Sequence, residues 1–127
     1  MSEAAAILAA MAYDNELAAR LRAALSFEKG ITEKAMFGGL AFLKDGNMVV
    51  AASGQGGLML RVDPAEGGAL RERKGVHPMV MNGREAAGWL RVDEDVADTE
   101  DSLHAWLEHA LVYVRTLPAK EHQDHDG

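Results

Sequence analysis

The stretch TEKAMFGGLAFLKDGNMVVAA, residues 32–52, predicts a β-hairpin and so places a sheet in the fold. The run from Thr32 to Leu43, most of which is apolar, predicts one long strand. The Asp45-Gly46 dipeptide predicts a tight turn, and the small and β-branched residues of Met48–Ala52 predict the returning strand. We therefore expect an antiparallel pair of strands here.

Two adjacent glycines, Gly38 and Gly39, lie in the middle of the first predicted strand. Glycine weakens a strand interior, so it usually marks a bulge, a bend or a close approach by another group. A phosphate-binding loop needs a helix N-terminus after its glycines, whereas Leu40 and Phe42 resume a strand pattern directly. We predict a bulge or sharp coil, over which a side chain such as Trp89 lies close to the backbone.

The sequence on either side of the hairpin predicts two helices and a further strand. Before the hairpin, Asp14 is a helix N-cap, leucines recur at every fourth position, and Gly30 supplies the stop. After it, residues 58–62 alternate between two faces as a strand does. Asp63 and Pro64 then begin a short helix, because they match an N-cap followed by an N1 proline.

A second hairpin and a long helix complete the predicted fold. The Asn82-Gly83 dipeptide joins a strand at 78–81 to a strand that ends at 89–93. Apolar residues from Leu103 to Leu117 recur at helical spacing, and Pro118 ends that helix. The order α-β-β-β-α-β-β-α indicates an α+β, two-layer fold, with helices on one face of a mostly antiparallel five-stranded sheet.

Length, composition and charge limit the class of protein. A chain of 127 residues is an ordinary size for one domain. We expect that domain at residues 13–118, after an N-terminal extension (1–12) and before a disordered polar tail (119–127). No apolar run approaches the roughly 20 residues that a membrane helix needs. With zero cysteines the sequence is compatible with the cytoplasm, which is the expected location.

Each motif that could carry catalysis lacks a required part. The glycine-rich run at 54–57 leads into a strand rather than a helix N-terminus. His104 and His109 are five residues apart on a helix and do not share a face. The histidines and aspartates of residues 122–126 would bind a metal only adventitiously. We predict no catalytic, cofactor-binding or metal-binding residues.

One pattern does point to binding. If the helices cover the face that carries Leu58 and Leu60, then Met59, Arg61, Trp89 and Arg91 share the opposite face, near other methionines. Tryptophan, methionine and arginine together are the composition that protein interfaces favour. The alternative is that this face is merely half-exposed, with arginines shielding the tryptophan.

The chain resembles the TfoX N-terminal domain family from about Met11 to Lys120, as a single-domain, TfoX/Sxy-like member. The most specific block of the resemblance consists of Lys34, Met36, Phe37, Gly38, Gly39, Gly46 and Asn47, followed by Met48, Arg61 and Trp89. It implies an α+β fold with an antiparallel sheet. It also implies a bacterial, cytoplasmic protein related to regulators of competence and DNA transformation, and it brings no catalytic residues.

Three functions follow as hypotheses. The first is a non-enzymatic regulatory or adaptor domain that binds an unidentified protein, or a second copy of itself as a homodimer, through Met59, Arg61, Trp89 and Arg91. The second is an enzyme or small-ligand binder with a pocket between sheet and helices. The third is direct DNA binding by the cations Lys34, Lys44, Arg61, Arg84 and Arg91, although a formal charge of −7 makes nucleic acid an unfavourable partner.

Overall fold

The computed structural model describes residues 13–36 and 38–120, which form an α+β fold around one open antiparallel sheet. In chain order its elements are helix α1 (Asn15–Ala24), strands β1 (Ile31–Met36), β2 (Gly39–Lys44), β3 (Asn47–Ala52) and β4 (Leu58–Arg61), helix α2 (Pro64–Leu70), strands β5 (Val76–Met81) and β6 (Arg84–Val92), a 3-10 helix (Glu94–Ala97) and helix α3 (Glu100–Val114). The sheet order is β1-β2-β3-β4-β6-β5. The antiparallel sheet and the α+β class agree with the sequence-based expectation.

The sheet has six strands where the sequence predicted five. The single strand predicted from Thr32 to Leu43 is wrong, because the chain reverses at Gly38 and forms the hairpin β1–β2. Gly38 has a φ of 76°, a conformation that L side chains rarely adopt, and Met36 pairs with Gly39 across the turn. Apolar residues on both sides of the glycines resemble one continuous strand, so the pattern alone conceals the reversal.

Gly39 is required by close backbone packing, not by Trp89. A Cβ atom at this position would lie 2.3 Å from the carbonyl oxygen of Ala52 and 3.2 Å from the amide nitrogen of Gly54. The prediction that a tryptophan lies over the glycines is therefore wrong. What approaches Gly39 is the backbone at the end of β3.

The helices begin where the sequence predicted and end earlier. Asp14 caps α1, since its carboxylate accepts hydrogen bonds from two backbone amides of the first turn. The helix stops at Ala24, and Gly30, with a φ of 79°, instead directs the chain into β1. Helix α3 likewise ends at Val114, before Pro118. The backbone amides of residues 115–117 donate hydrogen bonds to carbonyls of the last helical turn.

All three helices pack on one face of the sheet. They contribute buried side chains to a single apolar core with residues of β2 to β6, and Ile31 of β1 packs against this core. The largest fully buried members of this core are Phe42, Leu17, Leu21, Leu25, Leu58, Leu60, Leu90, Leu103, Leu107, Leu111, Val49 and Val50. In the part of the chain that the structure describes, no helix is long and apolar enough to cross a membrane.

The β2–β3 turn holds the residues that follow α3. Asn47 is buried, with only 3% of its surface exposed, and its Nδ2 donates a hydrogen bond of 2.9 Å to the carbonyl of Pro118. The backbone amide of Lys120 donates to the carbonyl of Asp45 at 2.8 Å. A Cβ atom on Gly46 would lie 2.8 Å from the carbonyl oxygen of Lys120. Gly46 and Asn47 thus fix Lys120 beside the β2–β3 turn, at one end of the strands.

Candidate functional site

The face of the sheet opposite the helices is the candidate site, and we call it the open face. Strand alternation places on it the side chains that lie between the core positions of each strand. The residues that line its hollows are Lys34, Met36, Leu43, Met48, Met59, Arg61, Met79, Met81, Trp89 and Arg91, with Ser53, Gln55, Gly46 and Lys120 at its ends.

The strand register brings the four sequence-predicted residues together. Met59 of β4 pairs with Arg91 of β6, and Arg61 pairs with Trp89 two residues along the same strands. All four side chains are half-buried. They therefore form one contiguous surface, in which an aromatic ring and a methionine lie among cations.

Two adjoining hollows run across this surface. One has a volume of about 340 Å³ and lies between Lys34 on β1 and Trp89 on β6. The other has a volume of about 320 Å³ and lies beside Arg91. Met59 and Met81 line both. Because methionine is unbranched and polarizable, a surface of this kind can adapt to the shape of a partner side chain.

Arg61 is held in place by two aromatic rings. Its guanidinium carbon lies 5.3 Å from the centre of the Trp89 ring and 5.7 Å from that of Tyr113 on α3. Cation–π contacts at these distances restrain the side chain without neutralising its charge. Arg61 therefore presents an ordered positive charge at the end of the open face.

Charge is distributed unevenly over the molecule. Among the described residues, the hollows of the open face are lined by Lys34, Arg61, Arg91 and Lys120 but by no acidic residue, although the chain has 20 acidic and 13 basic residues. Within residues 13–36 and 38–120, none of these cations forms an ion pair. The open face is thus cationic on a protein of net charge −7.

A family comparison agrees with this architecture. The family model for the TfoX N-terminal domain matches residues 23–113, which include every strand of the sheet. The chain belongs to this family. Searches of curated proteins and of solved structures find no match.

Most of the described family-motif residues of this TfoX N-terminal domain make contacts that shape or hold the fold. Gly38 and Gly39 form and pack the β1–β2 hairpin, and Gly46 and Asn47 hold the chain after α3. Lys34 and Met36 differ, because both line the larger hollow of the open face. Phe37 lies outside the described residues, as do the histidines of the C-terminal tail.

Helices α2 and α3 of the TfoX domain enclose a groove of different chemistry. Its volume is about 560 Å³, and its lining includes Asp63, Glu66 and Glu108 together with His109. No described strand residue lines this groove. Two other hollows do lie between a helix and the sheet, one of about 560 Å³ between the end of α1 and strands β1 and β2, and one of about 230 Å³ between α2 and β6. Across the described part of the chain, no group of three or more histidine and acidic side chains is arranged to hold a metal ion.

The five cations of the DNA-binding hypothesis are only partly brought together in the TfoX domain. Lys34, Arg61 and Arg91 share the open face. Lys44 instead lies 3.2 Å from Glu28, in an ion pair on the other side of the sheet, and Arg84 begins β6 at the Asn82-Gly83 turn. A continuous cationic track for a phosphate backbone is not formed by these five residues.

Lys120 and Leu43 are among the open-face residues that sequence reasoning missed. Lys120 was assigned to the tail, and its position depends on the long-range contact between Asn47 and Pro118, which local patterns do not reveal. Leu43 was placed in the long strand without a face, because a β-bulge next to it shifts the register between β2 and β3. Leu43 pairs with Met48 in the β2–β3 hairpin, and this pairing was the signal that could have indicated the face on which Leu43 lies.

Proposed function

We propose that this TfoX N-terminal domain is a non-enzymatic regulatory or adaptor domain that acts through protein contacts on its open face. The observation that carries the proposal is the methionine, tryptophan and arginine surface that the three helices leave uncovered. In most two-layer folds the free face of a sheet is polar. Here Met59 and Trp89 make part of it apolar, which is the composition of an interface core.

Family membership supports a regulatory role. The resemblance links the chain to regulators of competence and DNA transformation, and regulators of this kind act through macromolecular contacts. The open face belongs to the matched region, since all its strands lie within residues 23–113. The match also covers α2 and nearly all of α3, so the assignment of the regulatory contact to the sheet rests on the composition of the open face.

Affinity capture from the native host tests this assignment. Trp89→Ala should lower the recovery of bound partner about tenfold or more, because truncating a central aromatic residue of an interface commonly costs about 2 kcal/mol or more. Arg61→Glu should act in the same direction. Light scattering on the same proteins shows whether the partner is a second copy of the chain.

Val112→Ala is the matched control for that capture. Val112 lies on α3, on the helix side, and 56% of its surface is exposed. Its truncation removes exposed apolar surface but leaves the open face unchanged, so recovery should stay at the wild-type level. The proposal is wrong if Val112→Ala reduces recovery while the two open-face variants do not.

A further inference from the structure

The residues of the open face indicate the chemistry of the binding partner as well as the place where it binds. Two cations of the open face, Lys34 and Arg91, lie at opposite ends of a row of apolar residues. Lys34, Ala41, Ala51, Met59 and Arg91 occupy one continuous cross-strand row from β1 to β6. Four inter-strand steps of about 4.8 Å separate the two end residues, or roughly 19 Å.

We propose that the open face binds an acidic amphipathic helix of a partner protein. This inference rests on the proposed function, and it adds the charge and shape of the segment that is bound. The apolar side of such a helix would contact Met59, Met81 and Trp89, which line the two hollows. Its carboxylates would lie against Lys34, Arg61 and Arg91.

Charge complementarity is the main support for an acidic partner. The cations of the open face have no ion-pair partners within the described ranges, and no acidic side chain lines the hollows. Elsewhere, several basic residues of the same chain are neutralised: Arg22 by Glu33, Arg71 by Glu85, and Lys44 by Glu28. A partner with carboxylates would supply at the open face the counter-charges that these three basic residues have within the domain.

The apolar lining supports a helix as the bound element. Methionine-lined grooves accept amphipathic helices because their flexible side chains repack around aliphatic and aromatic residues. A helix that spans the roughly 19 Å between the end cations needs about 13 residues, or between three and four turns. Laid on the free face of the sheet, it would cover that face much as α1, α2 and α3 cover the other.

Fluorescence anisotropy with three labelled peptides tests the inference on the full chain. The first peptide has about 16 residues, with leucines along one helical face and glutamates along the other. The second has lysine at every glutamate position, and the third has the composition of the first in scrambled order. We expect the first peptide to bind at least about tenfold more tightly than the other two, and binding should weaken as salt rises from about 50 mM.

Charge-reversal variants locate the binding. Arg61→Glu and Arg91→Glu should each weaken binding of the acidic peptide about five- to tenfold. Lys74→Glu is the matched control, because Lys74 is exposed and does not line the open face, and it should leave binding unchanged. Circular dichroism confirms that each variant is folded.

Several outcomes would overturn the inference. Equal binding of the acidic and lysine peptides, absence of binding by the acidic peptide, or an equal effect of Lys74→Glu would each show that charge does not select the partner. A labelled DNA duplex that binds at about 50 mM salt and is released by Arg61→Glu would assign the cations to nucleic acid instead. Loss of native partners in the Trp89→Ala capture would then still support a protein contact on this face, so the two proposals fail separately.

Discussion

Replacing Gly39 with alanine should lower the free energy of unfolding by about 2–4 kcal/mol. The added Cβ would lie 2.3 Å from the carbonyl oxygen of Ala52, which belongs to β3 in the middle of the sheet. A backbone atom in a hydrogen-bonded strand cannot move aside as the end of a flexible side chain can. Chemical denaturation in urea measures the change directly.

Two other glycines provide the controls. Gly38→Ala should cost only about 1–2 kcal/mol, because its φ of 76° is unfavourable for alanine but no atom lies within 4 Å of the added Cβ. Gly68→Ala, in α2 with open space around it, should be neutral or stabilise by up to about 1 kcal/mol. If Gly39→Ala costs no more than Gly38→Ala, the close packing of β2 on the end of β3 is not what the glycine serves.

Replacing Glu28 with glutamine should lower stability at neutral pH by about 1.5–3 kcal/mol. The Glu28 carboxylate accepts hydrogen bonds from Arg115, at 2.8 and 3.2 Å, and forms an ion pair with Lys44 at 3.2 Å. It thereby joins the C-terminal end of α3 to β2, and only 9% of its side chain is exposed. Glutamine keeps the shape but loses the charge that both contacts require.

The pH dependence follows from the same contacts. The Arg115 guanidinium, together with Lys44, lowers the pKa of the Glu28 carboxyl from 4.5 to about 2 against the effect of burial. Because the folded-state pKa lies below the unfolded one, the stabilisation is present above pH 4.5 and is lost as the pH falls towards 2. Urea unfolding of wild type and Glu28→Gln should therefore give stabilities that converge as the pH falls through this range.

Glu108→Gln is the matched control for that series. Glu108 also contacts Arg115, at 3.3 Å, but 56% of its side chain is exposed to solvent. Its replacement should change stability by less than about 1 kcal/mol, as is typical of exposed ion pairs. A Glu28→Gln variant that loses the same stability at all pH values would mean that packing, and not charge, holds α3 to the sheet at this point.

Local sequence signals predicted the elements that depend on neighbouring residues. Asp45-Gly46 and Asn82-Gly83 form turns at positive φ, and Asp14 and Asp63 cap the helices that follow them. The Gly38-Gly39 turn was mistaken for an interruption of one strand. The chain reverses at Gly38, whose φ is 76°, and Gly39 then packs against the end of β3, a contact with residues distant in sequence that local patterns do not reveal.

Part of the candidate site could likewise be predicted from local patterns, and the rest depends on how the strands pair. Alternation along two strands was enough to group Met59, Arg61, Trp89 and Arg91, since every second residue of a strand faces the same side, and the register of β4 and β6 pairs these four residues. That Lys34 belongs to the same surface follows only from the register of four successive strand pairs. That the hollows are lined by no acidic residue within the described part of the chain is likewise a property of the assembled sheet.

Site-specific photo-cross-linking in the native host tests the central claim, that the open face is the binding surface. A benzophenone amino acid is placed at position 81, on the open face, or at position 112, on α3; the native side chains there, Met81 and Val112, are 42% and 56% exposed. We expect discrete covalent adducts with another protein chain from position 81, none from position 112, and loss of the adducts when Trp89→Ala is added. Adducts from position 112 with none from position 81 would contradict the account.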